Sequence, residues 1–80
     1  MPRRECVLYI TDDCALCDEA LDMLLKANAL RGIVLTTVDI VEDDDLFESY
    51  GEHIPVLEYL GVSLTWPFSV EDAAALFSPK

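Results

Sequence analysis

The order of apolar patterns along this chain predicts an α/β fold with the element order β-α-β-α-β-β-α. A short uninterrupted apolar run, Cys6-Val7-Leu8-Tyr9-Ile10, reads as a strand covered on both faces. Behind it, apolar residues at intervals of three and four mark an amphipathic helix. A run rich in β-branched residues follows after a short turn, which closes a βαβ unit that should be parallel and right-handed.

The first helix takes its apolar face from Leu16, Ala20, Leu21, Met23, Leu24, Ala27 and Leu30, with Asp18, Glu19, Asp22 and Lys26 on the remainder, and is expected to end near Gly32. Thr11, Asp12 and Asp13 are all good N-cap residues, and the sequence does not choose among them, so Cys14 is expected in the first turn. Ile33-Val34-Leu35-Thr36-Thr37-Val38-Asp39-Ile40 is the second strand. The acidic run Glu42 to Asp45 leads into Leu46-Phe47-Glu48-Ser49-Tyr50, a short helix capped by aspartate and stopped by Gly51. Val56-Leu57-Glu58-Tyr59-Leu60 and Val62-Ser63-Leu64-Thr65-Trp66 flank Gly61 as a tight hairpin, both strands half-exposed in pattern. Ser69 three residues before Asp72 resembles a capping box, Ala73-Ala74-Ala75-Leu76-Phe77 continues as helix, and Pro79 stops it. No linker, repeat or low-complexity segment interrupts this order, so residues 1–80 are read as a single domain.

With 80 residues, 52% of them hydrophobic, the chain can fold around one small core. Sixteen acidic against five basic residues give a formal charge of -11, which repels phosphate backbones and anionic headgroups. No nucleic acid or membrane partner is expected, and the protein is expected to be a monomer. Met1-Pro2-Arg3-Arg4 is basic, but the apolar run behind it is too short for a signal-peptide core, so a cytoplasmic location is expected. In that reducing compartment a C-x-x-C pair beside a strand-helix junction points to redox or metal chemistry rather than a structural disulfide framework. Cys14, Cys17 and His53 supply only three soft ligands where structural zinc wants four, and Cys6 falls inside a strand as a small buried hydrophobe. The acids at 42–45 lack the alternating ligands and internal glycine of a calcium loop. No metal is therefore expected, and His53 is read as a loop residue.

Cys14-Ala15-Leu16-Cys17 remains as the feature that carries chemistry. Two thiols at that spacing can close a disulfide within one helical turn, and unpaired amides at a helix N-terminus favour the attacking thiolate. Nearby acids oppose it. A carboxylate ~7 Å from the sulfur in a water-like dielectric contributes on the order of half a kcal/mol of repulsion, against about 0.3 to 1 kcal/mol from the helix terminus. With Asp12 and Asp13 before the motif and Asp18 and Glu19 after it, the Cys14 pKa is not expected to be strongly depressed.

The dithiol at a helix start, Ile54-Pro55 before the third strand, Thr37-Val38-Asp39-Ile40, Tyr50-Gly51, Pro55-Val56-Leu57 and Leu64-Thr65-Trp66-Pro67-Phe68 together resemble the thioredoxin-fold superfamily in its short glutaredoxin-like form. The resemblance spans nearly the whole chain and implies a three-layer fold: a four-stranded mixed sheet with helices on both faces. It implies a cis Ile54-Pro55 bond lying against the dithiol, with the Ile54 backbone open to an extended substrate. It also implies a thiol-disulfide oxidoreductase in which Cys14 attacks a substrate disulfide and Cys17 resolves the mixed disulfide, with no cofactor beyond an electron donor. Glutathione binding is not carried over. Cys-Pro-Tyr-Cys becomes Cys-Ala-Leu-Cys, the basic residue before the motif becomes Asp12 and Asp13, and the Gly-Gly before the last helix becomes Trp66-Pro67-Phe68. Ser69 keeps a helix N-terminus that a carboxylate can use, but Glu71 and Asp72 oppose it. The expected partners are protein or peptide disulfides with basic flanks. The alternative is a non-catalytic thioredoxin-fold protein-binding module, for which Tyr9, Trp66 and Phe68 are candidate surface residues, though such aromatics more often serve the core.

Overall fold

The computed structural model describes residues 4–26 and 32–77. In chain order the elements are β1 (Glu5–Ile10), α1 (Ala15–Lys26), β2 (Val34–Asp39), a 3₁₀ turn at Ile40–Glu42, α2 (Asp44–Tyr50), β3 (Val56–Tyr59), β4 (Val62–Thr65) and α3 (Val70–Phe77). The readings that rest on Ala27, Leu30 and Pro79 lie outside the described residues. The strands form one mixed sheet in the order β2-β1-β3-β4. β1 and β2 are parallel, whereas β1–β3 and β3–β4 are antiparallel. This is the thioredoxin-like arrangement.

Strand alternation divides the buried residues between two faces. On one face Cys6, Leu8, Leu57 and Tyr59 pack against Ala20 and Leu24 of α1, Ala73 and Phe77 of α3, and Phe68. On the other, Val56 and Ile40 are buried and Tyr9 stacks on Tyr50 of α2, ring centroids 4.7 Å apart. β1 and β3 are thus covered fully on the first face and in part on the second, which is why β1 reads as a continuous apolar run. Each of Leu8, Leu24 and Leu57 is fully buried, a contribution of roughly 1.5–3 kcal/mol apiece.

The expectation that both hairpin strands are half-exposed is corrected for β3. Val56, Leu57 and Tyr59 are buried and Glu58 is half-buried, because β3 lies inside the sheet between β1 and β4. Only β4, the edge, is open. Asp43 caps α2, its Oδ1 accepting the amides of Asp45 at 2.9 Å and Leu46 at 3.3 Å. Gly51 follows the helix with right-handed dihedrals (φ -51, ψ -34), so α2 does not end through a left-handed glycine. The capping box of α3 is present in both directions: Ser69 N–H donates to Asp72, and Asp72 N–H to the Ser69 hydroxyl, each at 3.0 Å. Arg4 ties the start of β1 to the end of α3 through the Tyr59 hydroxyl at 2.9 Å and the Phe77 carbonyl.

The hairpin turn has φ +50 at Leu60 and φ +81 at Gly61, the pair of positive values of a type I′ turn. Leucine is a poor residue there, and its side chain, 83% exposed, gains nothing from packing. Replacing Leu60 by asparagine is expected to stabilise the fold by about 0.5–1 kcal/mol, since asparagine tolerates left-handed dihedrals that cost most residues ~1 kcal/mol. Urea unfolding checks this, and a lower midpoint contradicts it.

Burial pushes the Cys6 thiol up from 9.0 to about 11, and burial followed by the Glu58 charge raises the Tyr9 phenol. The unfolded chain releases these protons at lower pH than the folded one does, so the unfolded state binds fewer protons and stability falls as pH rises from about 9 toward about 11. Denaturant midpoints measured across that window are expected to decline, and Cys6→Val to flatten the decline.

Candidate functional site

Asp12 and Asp13 form the turn after β1, and Asp13 adopts φ +56, a left-handed conformation that aspartate tolerates better than most residues. Turning there delays the helix. α1 starts at Ala15, and Cys14 itself holds the N-cap position, its carbonyl accepting Asp18 N–H at 3.2 Å and its Sγ accepting Cys17 N–H at 3.2 Å. This corrects the expectation that Thr11, Asp12 or Asp13 caps the helix with Cys14 in its first turn. A sulfur performs the capping because both aspartates are spent on the turn, with their side chains exposed.

Cys14 and Cys17 are joined as a disulfide with a Cα–Cα separation of 5.2 Å, inside the ordinary range for such bridges. The two sulfurs are not equivalent. Cys17 is 3% exposed, whereas Cys14 is partly open to solvent and Leu16 between them is 47% exposed. Asp12, Asp13, Asp18 and Glu19 are all exposed around the motif. Their charges favour α1 through its dipole and disfavour a thiolate at the same place.

The Ile54–Pro55 bond is cis, the geometry the resemblance implies, and Trp66–Pro67 is also cis, which no reading of the sequence anticipated. Register places the first of these with the dithiol. Val56 pairs with Tyr9, so the start of β3 lies beside the end of β1, and residues 54–55 emerge at the same end of the sheet as the turn into Cys14. Pro55 is fully buried, Ile54 half-buried, and the Pro55 carbonyl accepts Trp66 N–H at 3.2 Å. The Ile54 amide donates to the Tyr50 carbonyl at 3.1 Å. An extended chain added here can therefore use the Ile54 carbonyl but not its amide.

Sequence reasoning missed a cluster that braces this loop. Tyr9 and Tyr50 stack, and their hydroxyls approach the two oxygens of Glu58 at 3.4 Å and 3.3 Å. The cluster pins the last turn of α2 to β1 and β3 immediately before the cis bond. Its only advance signal is the β1–β3 register, which sequence does not state. Of the other residues singled out, Cys6 is fully buried, and Phe68 is buried with its ring edge-on to the half-buried Trp66 at 5.1 Å. His53 lies exposed in the loop after α2. Among the described residues no group of three or more His, Cys, Asp or Glu is arranged to hold a metal, and no helix is long and apolar enough to cross a membrane.

A sequence profile of the Glutaredoxin-like domain (DUF836) matches residues 5–78. The chain belongs to this family. Two solved structures of the Northeast Structural Genomics target protein XcR50 from X. campestris are similar to it. The X-ray structure is 38% identical, with 88% of this chain and 91% of that one covered and a TM-score of 0.74. The solution structure is 37% identical, covering 88% and 87%, with a TM-score of 0.72. No curated protein matches. The glutaredoxin-like domain, with a cysteine pair at disulfide distance, points to redox function.

The weight of the acidic rim on the outer thiol is measurable. In the reduced protein, Asp12→Asn with Asp13→Asn keeps residues that suit the turn while removing two charges. At neutral pH and low ionic strength, Cys14 alkylation is expected to speed up about fivefold, the equivalent of roughly 1 kcal/mol of repulsion relieved. An unchanged rate-pH profile contradicts this electrostatic account.

Proposed function

We propose that this glutaredoxin-like protein is a thiol-disulfide oxidoreductase that acts through Cys14 and Cys17 on protein or peptide disulfides with basic flanks. The Cys14–Cys17 pair at the start of α1, with its outer sulfur partly exposed and its inner one buried, is the observation that carries this reading. The Cys14 thiolate attacks one sulfur of the substrate disulfide, forming a mixed disulfide and releasing the other sulfur as thiolate. Cys17 then loses its proton and attacks the Cys14 sulfur, which expels the remaining substrate thiolate. Two electrons and two protons pass from the dithiol to the substrate, and an external thiol or dithiol reductant reverses the protein's own oxidation. The Cys17 amide that reaches the Cys14 sulfur is a donor suited to the thiolate at rest. Ile54 and Pro55 are assigned to substrate binding, because they share the dithiol's end of the sheet and offer the Ile54 carbonyl to an extended chain.

The acidic rim favours a second reading, a protein-binding module whose dithiol does not turn over. The two readings part at one atom. Cys14→Ser is expected to lower the rate of peptide-disulfide reduction at least a hundredfold, and Cys17→Ser to accumulate a mixed disulfide visible by mass spectrometry. Reduction that survives Cys14→Ser removes the oxidoreductase reading, and partner binding that survives without any turnover in the wild type establishes the module.

A further inference from the structure

Where α2 ends, the chain folds back on itself around an open pocket of about 440 Å³, lined by Phe47, Glu48, Gly51, Glu52 and His53. That volume is within the range of small-ligand and side-chain pockets. Its walls are held by the backbone: Gly51 N–H donates to the Phe47 carbonyl at 2.9 Å and His53 N–H to the Tyr50 carbonyl at 2.8 Å. Tyr50, stacked on Tyr9 and bonded to Glu58, anchors the same turn to the sheet. The backbone of this turn is therefore fixed by the fold, and Phe47, Glu48, Glu52 and His53 line it with exposed side chains.

Its lining selects a cation. Phe47 is 55% exposed, so an aromatic side chain is open to solvent here, and Glu48 and Glu52 add two exposed acidic residues. Apart from His53, which lines the pocket itself, the basic side chains among the described residues are Arg4 and Lys26, and they are engaged elsewhere, Arg4 with Tyr59 and Phe77 and Lys26 with Asp22 at 3.0 Å. Neither neutralises these glutamates. An aromatic side chain beside carboxylates matches an ammonium or guanidinium on an apolar stem. Position completes the argument, because His53 is followed directly by the cis Ile54–Pro55 bond at the dithiol's end of the sheet.

We infer that the Phe47–His53 pocket is a specificity subsite that takes a lysine or arginine side chain near the disulfide cysteine of a substrate peptide. The subsite rests on the proposed thiol-disulfide exchange and deepens it, by assigning the preference for basic flanks to one pocket instead of to the overall charge of -11.

Two matched peptides with an internal disulfide, one bearing lysine beside a cysteine and the other norleucine, test the inference. At low ionic strength the ratio of their kcat/KM values is expected to be about tenfold in favour of lysine, the low end of electrostatic steering, and to shrink at high salt. Glu48→Gln with Glu52→Gln is expected to bring the ratio near one, and Phe47→Ala to lower it. Glu5→Gln with Glu71→Gln, an equal change of charge away from the pocket, is expected to preserve it. A wild-type ratio of one, or a ratio lowered equally by both double variants, overturns the subsite while leaving exchange intact. Failure to reduce either peptide overturns the exchange reading instead. The subsite is then decided by NMR titration of a cysteine-free lysine peptide: shifts at Phe47 and His53 that vanish in the Glu48→Gln, Glu52→Gln protein support it, and their absence ends it.

Discussion

Strand β1 is fully buried on one face and half-buried on the other, and the placement of the groups at the candidate site follows from that constraint. A strand buried on both sides needs helices above and below and partners at both edges, so it must be internal to the sheet. β2 supplies one edge through a parallel crossover that requires α1, and β3 supplies the other antiparallel. The parallel partner puts the start of α1, with its dithiol, just beyond the end of β1. The antiparallel partner brings the start of β3, with its cis proline, to the same end. One strand's burial thus gathers two segments some forty residues apart in the chain, without any direct bond between them.

Electrostatics at that end is a balance of small effects, and their sizes decide the chemistry. The helix terminus and the Cys17 amide favour negative charge on the Cys14 sulfur by about 0.3–1 kcal/mol for the dipole, more where hydrogen bonding is direct. Carboxylates at Asp12, Asp13, Asp18 and Glu19 act against it, and because all four are exposed, water and salt screen them. Neither side dominates. What the acids add is a long-range field around the dithiol, because repulsion of anionic groups and attraction of cationic ones persist where local effects cancel. The same reasoning weighs against glutathione, whose carboxylates would meet this rim without the basic residue that compensates in classical glutaredoxins.

Much of this was legible in the sequence because it depends on local pattern. The continuous apolar run of Cys6–Ile10 announces two-sided burial, the capping box at Ser69 and Asp72 announces the start of α3, and Gly61 announces the hairpin. Other features were not legible, because they depend on neighbours distant in the chain or on the path the backbone takes between elements. β3 has the pattern of a half-exposed strand, yet its position between β1 and β4 buries it. The N-cap passes from an aspartate to Cys14 because the turn at Asp12–Asp13 consumes the two better candidates, a choice made by the path out of β1. The Tyr9–Tyr50–Glu58 cluster needs the β1–β3 register to exist at all.

That cluster also explains how a seven-residue helix with no fully buried side chain can hold a defined pocket. A helix this short is marginal by itself, and its apolar face buries little. Its final turn is fixed instead by one ring stack and two hydroxyls sharing a half-buried carboxylate, contacts that are directional where hydrophobic burial is not. Directional contacts set the orientation of the helix, and with it the way Phe47 and Glu48 are presented along the pocket after the last turn. The fold thus divides its labour by face. The side carrying α1 and α3 is a close-packed apolar core that holds the sheet together, and the side carrying α2 fixes a short helix to the sheet through one ring stack and two hydroxyl contacts.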